Sequence, residues 1–311
     1  MENKKIYDCL IIGAGPAGLT SAIYAQRAGL KCLIIEKDTP GGKMSKTAVI
    51  ENYPGFQTIK GYEISLNMLN QAKETGVTYL YGAVTSINKK ENIFELAIEG
   101  EESVYGKTVI VATGMKEKKI GAPGEEKFYG NGVSYCAICD GVLFRGKDVA
   151  VIGGGNSAFE ESIYLSELAN KVYLIHRNEK FRAEQKIIDK VKATPKIELI
   201  TNSVIKSING DRQVMGITVS NTIENTEREI KLDGVFVFIG YNPETGFIDN
   251  NIIDIDNNFI VANQDMETKT PGLFSVGDVI QKKFRQISTA VSDGTIAALN
   301  IKKYIENNFS D

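Results

Sequence analysis

The sequence contains no tryptophan and only one histidine, His176. A mechanism built on several histidines is therefore excluded, and so is a histidine-rich metal site. Cysteine is scarce: Cys9, Cys32, Cys136 and Cys139 are the whole supply. A structural zinc site needs two close pairs, only one exists, and no metal is expected. Cys9 and Cys32 fall in apolar runs that read as strands, where cysteine behaves as a small core residue. No apolar run reaches the roughly 18 residues of a membrane helix, so no membrane association is expected. Neither sign of charge dominates: 36 Lys and Arg stand against 39 Asp and Glu, a net charge of −3. The charges are mixed along the chain with no basic stripe, which sets nucleic acid aside as a partner. Lys4 and Lys5 ahead of an apolar stretch imitate a signal peptide only faintly, because Asp8 and a glycine-rich turn interrupt the core. A cytoplasmic protein is expected, and there a close cysteine pair is more often catalytic than structural.

The chain has 311 residues, enough for two domains with their own cores. Residues 6–12 form an apolar, β-branched run, followed by Gly13-Ala14-Gly15-Pro16-Ala17-Gly18 and a helical stretch from Leu19 to Ala28. Gly29 reads as the helix stop, and Lys31 to Glu36 as a second strand. In this strand–turn–helix–strand setting Gly13 permits the tight turn. Gly15 lets a pyrophosphate approach the backbone, and Gly18 lets the helix pack close to the strand. The helix N-terminus faces the phosphates, and Glu36 can accept hydrogen bonds from an adenosine ribose.

The unit recurs: Val149 to Ile152 is a strand, Gly153-Gly154-Gly155-Asn156-Ser157-Ala158 a second glycine turn, and Lys171 to Ile175 the next strand. Here the acidic residue is missing. His176 and Arg177 stand at its place and Arg182 follows, which suits the 2′-phosphate of NADP. The first unit is unfinished when the second begins. Val109 to Gly114 is an apolar strand ending in a small-residue turn, and Gly272 to Asp278 is another ending in Gly277-Asp278. The expected fold class is α/β, with two Rossmann-like three-layer nucleotide-binding domains, one inserted into a split other. The split domain comprises residues 1–117 and 247–311, and the insert residues 118–246. Inside the insert lies Cys136-Ala137-Ile138-Cys139-Asp140. Two dinucleotides and one dithiol make a path for electrons, which predicts a disulfide reductase.

These residues resemble the low-molecular-weight thioredoxin reductases of the flavin disulfide reductase superfamily, in order and over essentially the whole chain. The resemblance rests on Gly13–Gly18, Glu36, Gly41-Gly42, Glu51–Gly55, Ala112–Gly114, Cys136–Asp140, Gly153–Ala158, His176-Arg177, Phe181-Arg182, Gly277-Asp278 and Arg285-Gln286. It implies FAD on the split domain, held by Gly13, Gly15, Pro16, Ala17, Gly18, Glu36, Gly41, Gly42, Thr47, Asn52, Val84, Thr113, Gly114, Gly277, Asp278, Arg285, Gln286 and Ile287. It implies NADPH on the insert, along Gly153, Gly154, Gly155, Asn156, Ser157 and Ala158, with His176, Arg177 and Arg182 beyond. It further implies thioredoxin as the protein substrate and a homodimer. Cys139 would contact the flavin, Cys136 would attack the partner disulfide, and Asp140 would serve as the acid–base group. A rotation of the insert about crossings near 114–119 and 240–247 would let both the nicotinamide and the dithiol reach one flavin.

Three positions depart from the pattern. Asn178 replaces one of three cations, removing a phosphate contact worth ~1.5–3 kcal/mol and leaving the strictness of NADPH over NADH open. Lys43 puts a cation near the flavin, and Asn131 stands where an arginine often docks thioredoxin. A ferredoxin-driven thioredoxin reductase and a flavin dithiol oxidase share the fold but lack the second nucleotide fingerprint. A flavin redox sensor, the non-enzyme alternative, would not need both a dithiol and a hydride-donor site.

Overall fold

The computed structural model describes residues 5–47 and 50–309. Lys4, one of the two lysines ahead of the first strand, lies outside the described residues. The chain forms two compact units, Met1–Lys116 with Asn242–Asp311, and Glu117–Tyr241.

Unit 1 opens with β1 (Ile6–Ile12), α1 (Pro16–Arg27) and β2 (Cys32–Glu36). β1 and β2 pair in parallel with Cys9 opposite Cys32. Both strands are almost wholly buried, the pattern of a parallel sheet covered on both faces. Cys9 and Cys32 are free, buried thiols. Their mutual hydrogen bond, and then burial, push the Cys32 thiol far up, so it is an inert core group. Pro16 at the head of α1 and Gly29, at φ +82° beyond its end, start and stop that helix.

Next come α2 (Lys43–Lys46), α3 (Gly61–Glu74), β3 (Thr78–Tyr81), β4 (Val84–Lys90), β5 (Ile93–Ile98) and β6 (Glu101–Val111). The sheet order is β3-β2-β1-β6-β5-β4. Strands β3 to β6 along that path run parallel, and β6-β5-β4 is an antiparallel meander. No glycine fingerprint announces the meander in the sequence. β4 and β5 alternate buried and more exposed positions and bury mainly one face. The chain leaves unit 1 through β7 (Met115–Glu117).

Unit 2 contains β8 (Val133–Ser134), α4 (Ala137–Asp140), a 3-10 turn over Gly141–Phe144, β9 (Asp148–Ile152), α5 (Asn156–Leu168), β10 (Lys171–Ile175), α6 (Gln185–Lys192) and β11 (Ile197–Ile200). A second meander follows, β12 (Ser203–Gly210), β13 (Val214–Asn221) and β14 (Glu227–Lys231), and then β15 (Gly234–Val237). The parallel sheet has the order β11-β10-β9-β15-β8. The return strand β16 (Tyr241–Pro243) pairs with β7. Unit 1 is completed by β17 (Ile255–Asp256), β18 (Phe259–Ile260), β19 (Leu273–Ser275) beside β6, and α7 (Ile287–Phe309) packed on α1. Both parallel sheets are Rossmann-like, as the sequence predicts.

The second chain crossing falls after Tyr241, where the sequence reading places it after residue 246. Glu244 explains the difference. Its carboxylate pairs with Lys37 at 2.8 Å and Lys116 at 2.6 Å, and its carbonyl accepts the Thr113 hydroxyl at 2.9 Å. The returning chain is therefore already fastened to unit 1 at residue 244.

A buried carboxylate plays the matching part in unit 2. Glu125, 2% exposed, accepts the backbone N–H groups of Ile120 (2.9 Å) and Gly121 (2.8 Å) and the Tyr135 hydroxyl (2.8 Å). Glu125→Ala would leave three donors without an acceptor. We expect it to cost about 3 kcal/mol or more in urea unfolding, and Glu125→Gln, which keeps a carbonyl oxygen, clearly less. Equal stability of Glu125→Ala and the parent would refute this role.

Candidate active site

In unit 1, parallel strands bring several carboxyl ends to one edge. β1 delivers Gly13 to Gly18, β2 delivers Glu36, β6 delivers Thr113 and Gly114, and β19 delivers Gly277 and Asp278. Glu36 accepts the N–H groups of Ala14 (2.6 Å) and Asp38 (2.8 Å), which holds its carboxylate at the glycine turn. Gly41 donates to the Ala14 carbonyl at 2.7 Å, and a Cβ on Gly42 would lie 3.5 Å from the Gly15 Cα. Gly277 packs on Ala17, the residue after Pro16 at the head of α1.

Lys43 forms an ion pair with Asp278 at 3.2 Å, so its charge is spent partly on the residue expected to meet the ribityl chain. Arg285 lies over the Phe259 ring, 4.1 Å from its centre, and donates to the carbonyls of Asp278 and Ile280 at 3.4 Å each. Asn52 donates to the Gln286 side chain at 3.2 Å, joining residues distant in sequence just before Ile287 opens α7. The Thr47 hydroxyl donates to the Lys43 carbonyl at 3.2 Å. Val84 opens β4, pairs with Ile98 and packs on the sheet core.

This edge fits a dinucleotide. α1 has no side-chain cap, so its first N–H groups are available to an anion. A Cβ on Gly15 would meet nothing within 4 Å, whereas one on Gly18 would fall 2.0 Å from the Gly13 carbonyl oxygen. Gly15 thus faces open space and Gly18 faces backbone.

The edge of the unit 2 sheet repeats the arrangement. β9, β10, β15 and β8 run parallel, so the glycine turn after β9 and the cysteine segment after β8 share one carboxyl edge, with β15 between them. α5 starts uncapped at Gly155, where a Cβ would again meet nothing within 4 Å. The segment that follows β10 is laced onto this turn. Arg182 N–H donates to the Gly154 carbonyl at 2.7 Å. Glu184 N–H donates to the Asn156 side chain at 2.8 Å, which donates back to the Glu184 carboxylate at 3.2 Å. Ser157 is exposed beside Asn156 and Ala158 is buried. Arg177 and Arg182 are exposed.

His176 differs from the two arginines. Its ring is buried beneath Gly154, where any Cβ would fall 2.2 Å from it. Burial, and then the neighbouring arginines, hold its pKa below the ordinary value, against the hydrogen bond to the Lys180 carbonyl. The ring props the turn from below.

Cys136 and Cys139 are joined as a disulfide, with their Cα atoms 5.3 Å apart. Both are half-buried, at the start and within the single turn of α4. The Cys139 N–H points at the Cys136 sulfur, 3.2 Å away, and would favour a thiolate there after reduction. Asp140 closes the turn. Burial raises its pKa, and a hydrogen bond from Ser134 at 2.6 Å opposes that rise. Ile138 on α4 and Val142 and Leu143 on the 3-10 turn that follows expose apolar side chains. Among the described residues no cluster of metal-ligating side chains occurs, and no helix is long and apolar enough to cross a membrane.

A redox disulfide sharing a sheet edge with an uncapped glycine turn, with a second such turn in unit 1, matches a known family. The profile of the pyridine nucleotide-disulphide oxidoreductases covers residues 7–294. The chain belongs to that family, in its low-molecular-weight thioredoxin reductase branch. It is 44% identical to a thioredoxin reductase of Listeria monocytogenes, over 98% of this chain and 96% of that protein. It is 43% identical to one of Bacillus subtilis, over 98% and 97%. The crystal structure of thioredoxin reductase from Streptococcus pyogenes superposes with a TM-score of 0.93 at 42% identity, covering 98% of this chain and 100% of that one. Members of the family bind FAD and NAD(P)H.

The sequence reading missed Ser134, Glu125, Glu184 and the partner that Lys43 finds in Asp278. Each acts through a contact with a residue remote in sequence or set by a turn, and none sits in a glycine fingerprint. A serine two residues ahead of Cys136 was the one local signal available.

Proposed function

We propose that the protein reduces oxidised thioredoxin with electrons from NADPH, through FAD and the Cys136–Cys139 dithiol. The observation that carries this reading is the shared sheet edge of unit 2, where a redox disulfide and a nucleotide turn lie one strand apart. FAD would be held by Gly13 to Gly18, Glu36, Gly41, Gly42 and Asp278, and NADPH by Gly153 to Ala158 with Arg177 and Arg182. FAD held there would supply the two-electron chemistry that links a nicotinamide hydride to the disulfide. The chain's residues do the rest. Cys136 attacks the thioredoxin disulfide as thiolate, Cys139 resolves the mixed disulfide, and Asp140 supplies the proton that the leaving sulfur takes up. The apolar rim of Ile138, Val142 and Leu143 suits a protein partner. Nicotinamide and dithiol both belong to residues 117–241 and serve one flavin, so a rotation about the two crossings is part of the reading. So is a homodimer, for which Tyr24, Tyr62 and Leu66 on α1 and α3 expose apolar surface.

The test is an anaerobic titration of the yellow protein with NADPH and with NADH, followed by flavin bleaching. Bleaching by NADPH is expected. If neither nucleotide bleached the flavin, the reading would fall and a ferredoxin-driven reductase or a dithiol oxidase would replace it. Asn178 is exposed between Arg177 and the Phe181-Arg182 pair. Asn178→Arg should therefore lower the KM for NADPH roughly tenfold and leave that for NADH unchanged, the yield of one added charge-assisted phosphate contact. An equal effect on both nucleotides would place the 2′-phosphate elsewhere.

A further inference from the structure

Ser134 ends β8, is nearly fully buried, and touches both ends of the dithiol turn. Its hydroxyl oxygen lies 2.6 Å from the Asp140 carboxylate, 3.0 Å from the Cys136 N–H and 3.3 Å from the Cys136 carbonyl oxygen. A hydroxyl has one proton to give and two lone pairs to receive with. Two of these three neighbours, the carboxylate and the carbonyl, compete for the one proton.

We propose that Ser134 is the positioning residue that holds Asp140 against the dithiol turn in both of its protonation states. With Asp140 ionised, the Ser134 O–H donates to the carboxylate and its oxygen accepts the Cys136 N–H. With Asp140 protonated, the carboxyl O–H donates to the Ser134 oxygen, the Cys136 N–H still donates to it, and the Ser134 proton turns to the Cys136 carbonyl. One donor and two acceptors are then fully used. No bond is broken except hydrogen bonds, and Asp140 gains or loses its proton without losing its place. The charge-assisted bond of the ionised form is the stronger of the two, so the serine favours that form and opposes the burial that raises the Asp140 pKa. The inference rests on Asp140 as the acid–base group of the proposed reaction.

Other titrating groups lie near. The elements packed most on α4 are the 3-10 turn, which runs into Arg145, and α5, which carries Glu160, Glu161, Tyr164 and Glu167. Burial, and then Glu160, push Glu161 up to about 7, so it needs its own control.

The experiment uses the FAD-loaded protein and records the pH profile of thioredoxin reduction, together with the stopped-flow rate of flavin reduction by NADPH. Ser134→Ala should move the alkaline limb to higher pH, because Asp140 then keeps its proton longer. It should also slow thioredoxin reduction roughly tenfold, the loss of one charge-assisted bond, with flavin reduction unchanged. Ser134→Thr, which keeps the hydroxyl, should restore the parent profile. Asp140→Asn should remove the limb, and Glu161→Gln should leave it in place. If Asp140→Asn removes the limb but Ser134→Ala neither shifts it nor slows the reaction, the serine inference is wrong and the Asp140 reading stands. If Asp140→Asn retains the limb, or Glu161→Gln moves it, the Asp140 reading itself fails and the inference falls with it.

Discussion

Cys139→Ser should abolish thioredoxin reduction while leaving NADPH able to bleach the flavin, and Cys136→Ser should do the same. The reasoning is chemical. A dithiol relay needs one sulfur to attack and a second to resolve, and a hydroxyl does neither at neutral pH. Loss of Cys136 removes the attacking sulfur. Loss of Cys139 leaves Cys136 able to form a mixed disulfide that nothing releases. The two variants therefore differ in a trapped species: Cys139→Ser should accumulate a covalent complex with thioredoxin, visible on a non-reducing gel, and Cys136→Ser should not. The structure makes this a local change. Both sulfurs sit on a single turn held by hydrogen bonds from Cys139 N–H to the Cys136 sulfur and from Asp140 N–H to the Cys136 carbonyl. Turnover of thioredoxin in either variant would sink the dithiol assignment.

The second large effect separates two glycines three residues apart. Gly18→Ala should destabilise the protein and Gly15→Ala should not, yet both should lose FAD. A methyl group on Gly18 would fall 2.0 Å from the Gly13 carbonyl oxygen, and 3.3 Å from the Ala112 side chain. The first turn of α1 must then move off the end of β1, at a cost of about 1–3 kcal/mol or more for overpacking against backbone. Gly15 has φ −74° and ψ −178°, a conformation any residue adopts, and open space around its Cβ direction. Alanine there should leave the urea midpoint of the apoprotein unchanged while blocking the approach of a pyrophosphate. FAD retention on desalting and apoprotein unfolding are the two readouts. A Gly15→Ala protein that keeps its flavin as tightly as the parent would show that the pyrophosphate lies elsewhere.

How much was legible beforehand follows from the kind of signal each feature carries. Both glycine turns, the strand before each, the end of β2 and the boundaries of β10 could be read directly. A turn that must approach a phosphate can use only a few residues, and a strand buried on both faces is a continuous apolar run. The return of the chain at β19 could also be read, from an apolar strand ending in Gly277-Asp278. The two antiparallel meanders could not. Their half-exposed strands look like ordinary polar sequence, and their pairing depends on register that the sequence does not display.

The sequence by itself determined the order of the two nucleotide turns, the place of the cysteine pair between them, and the missing acid after β10. These are matters of spacing along one chain. Only the tertiary structure decided that the dithiol and the second glycine turn share a sheet edge, because β15 arrives late in the chain to lie between β8 and β9. Only it placed the His176 ring beneath Gly154, since the space under that turn is set by packing. And only it joined Ser134 to Asp140 across the dithiol turn, because a hydrogen bond is chosen by distance in space, to which sequence separation is a poor guide.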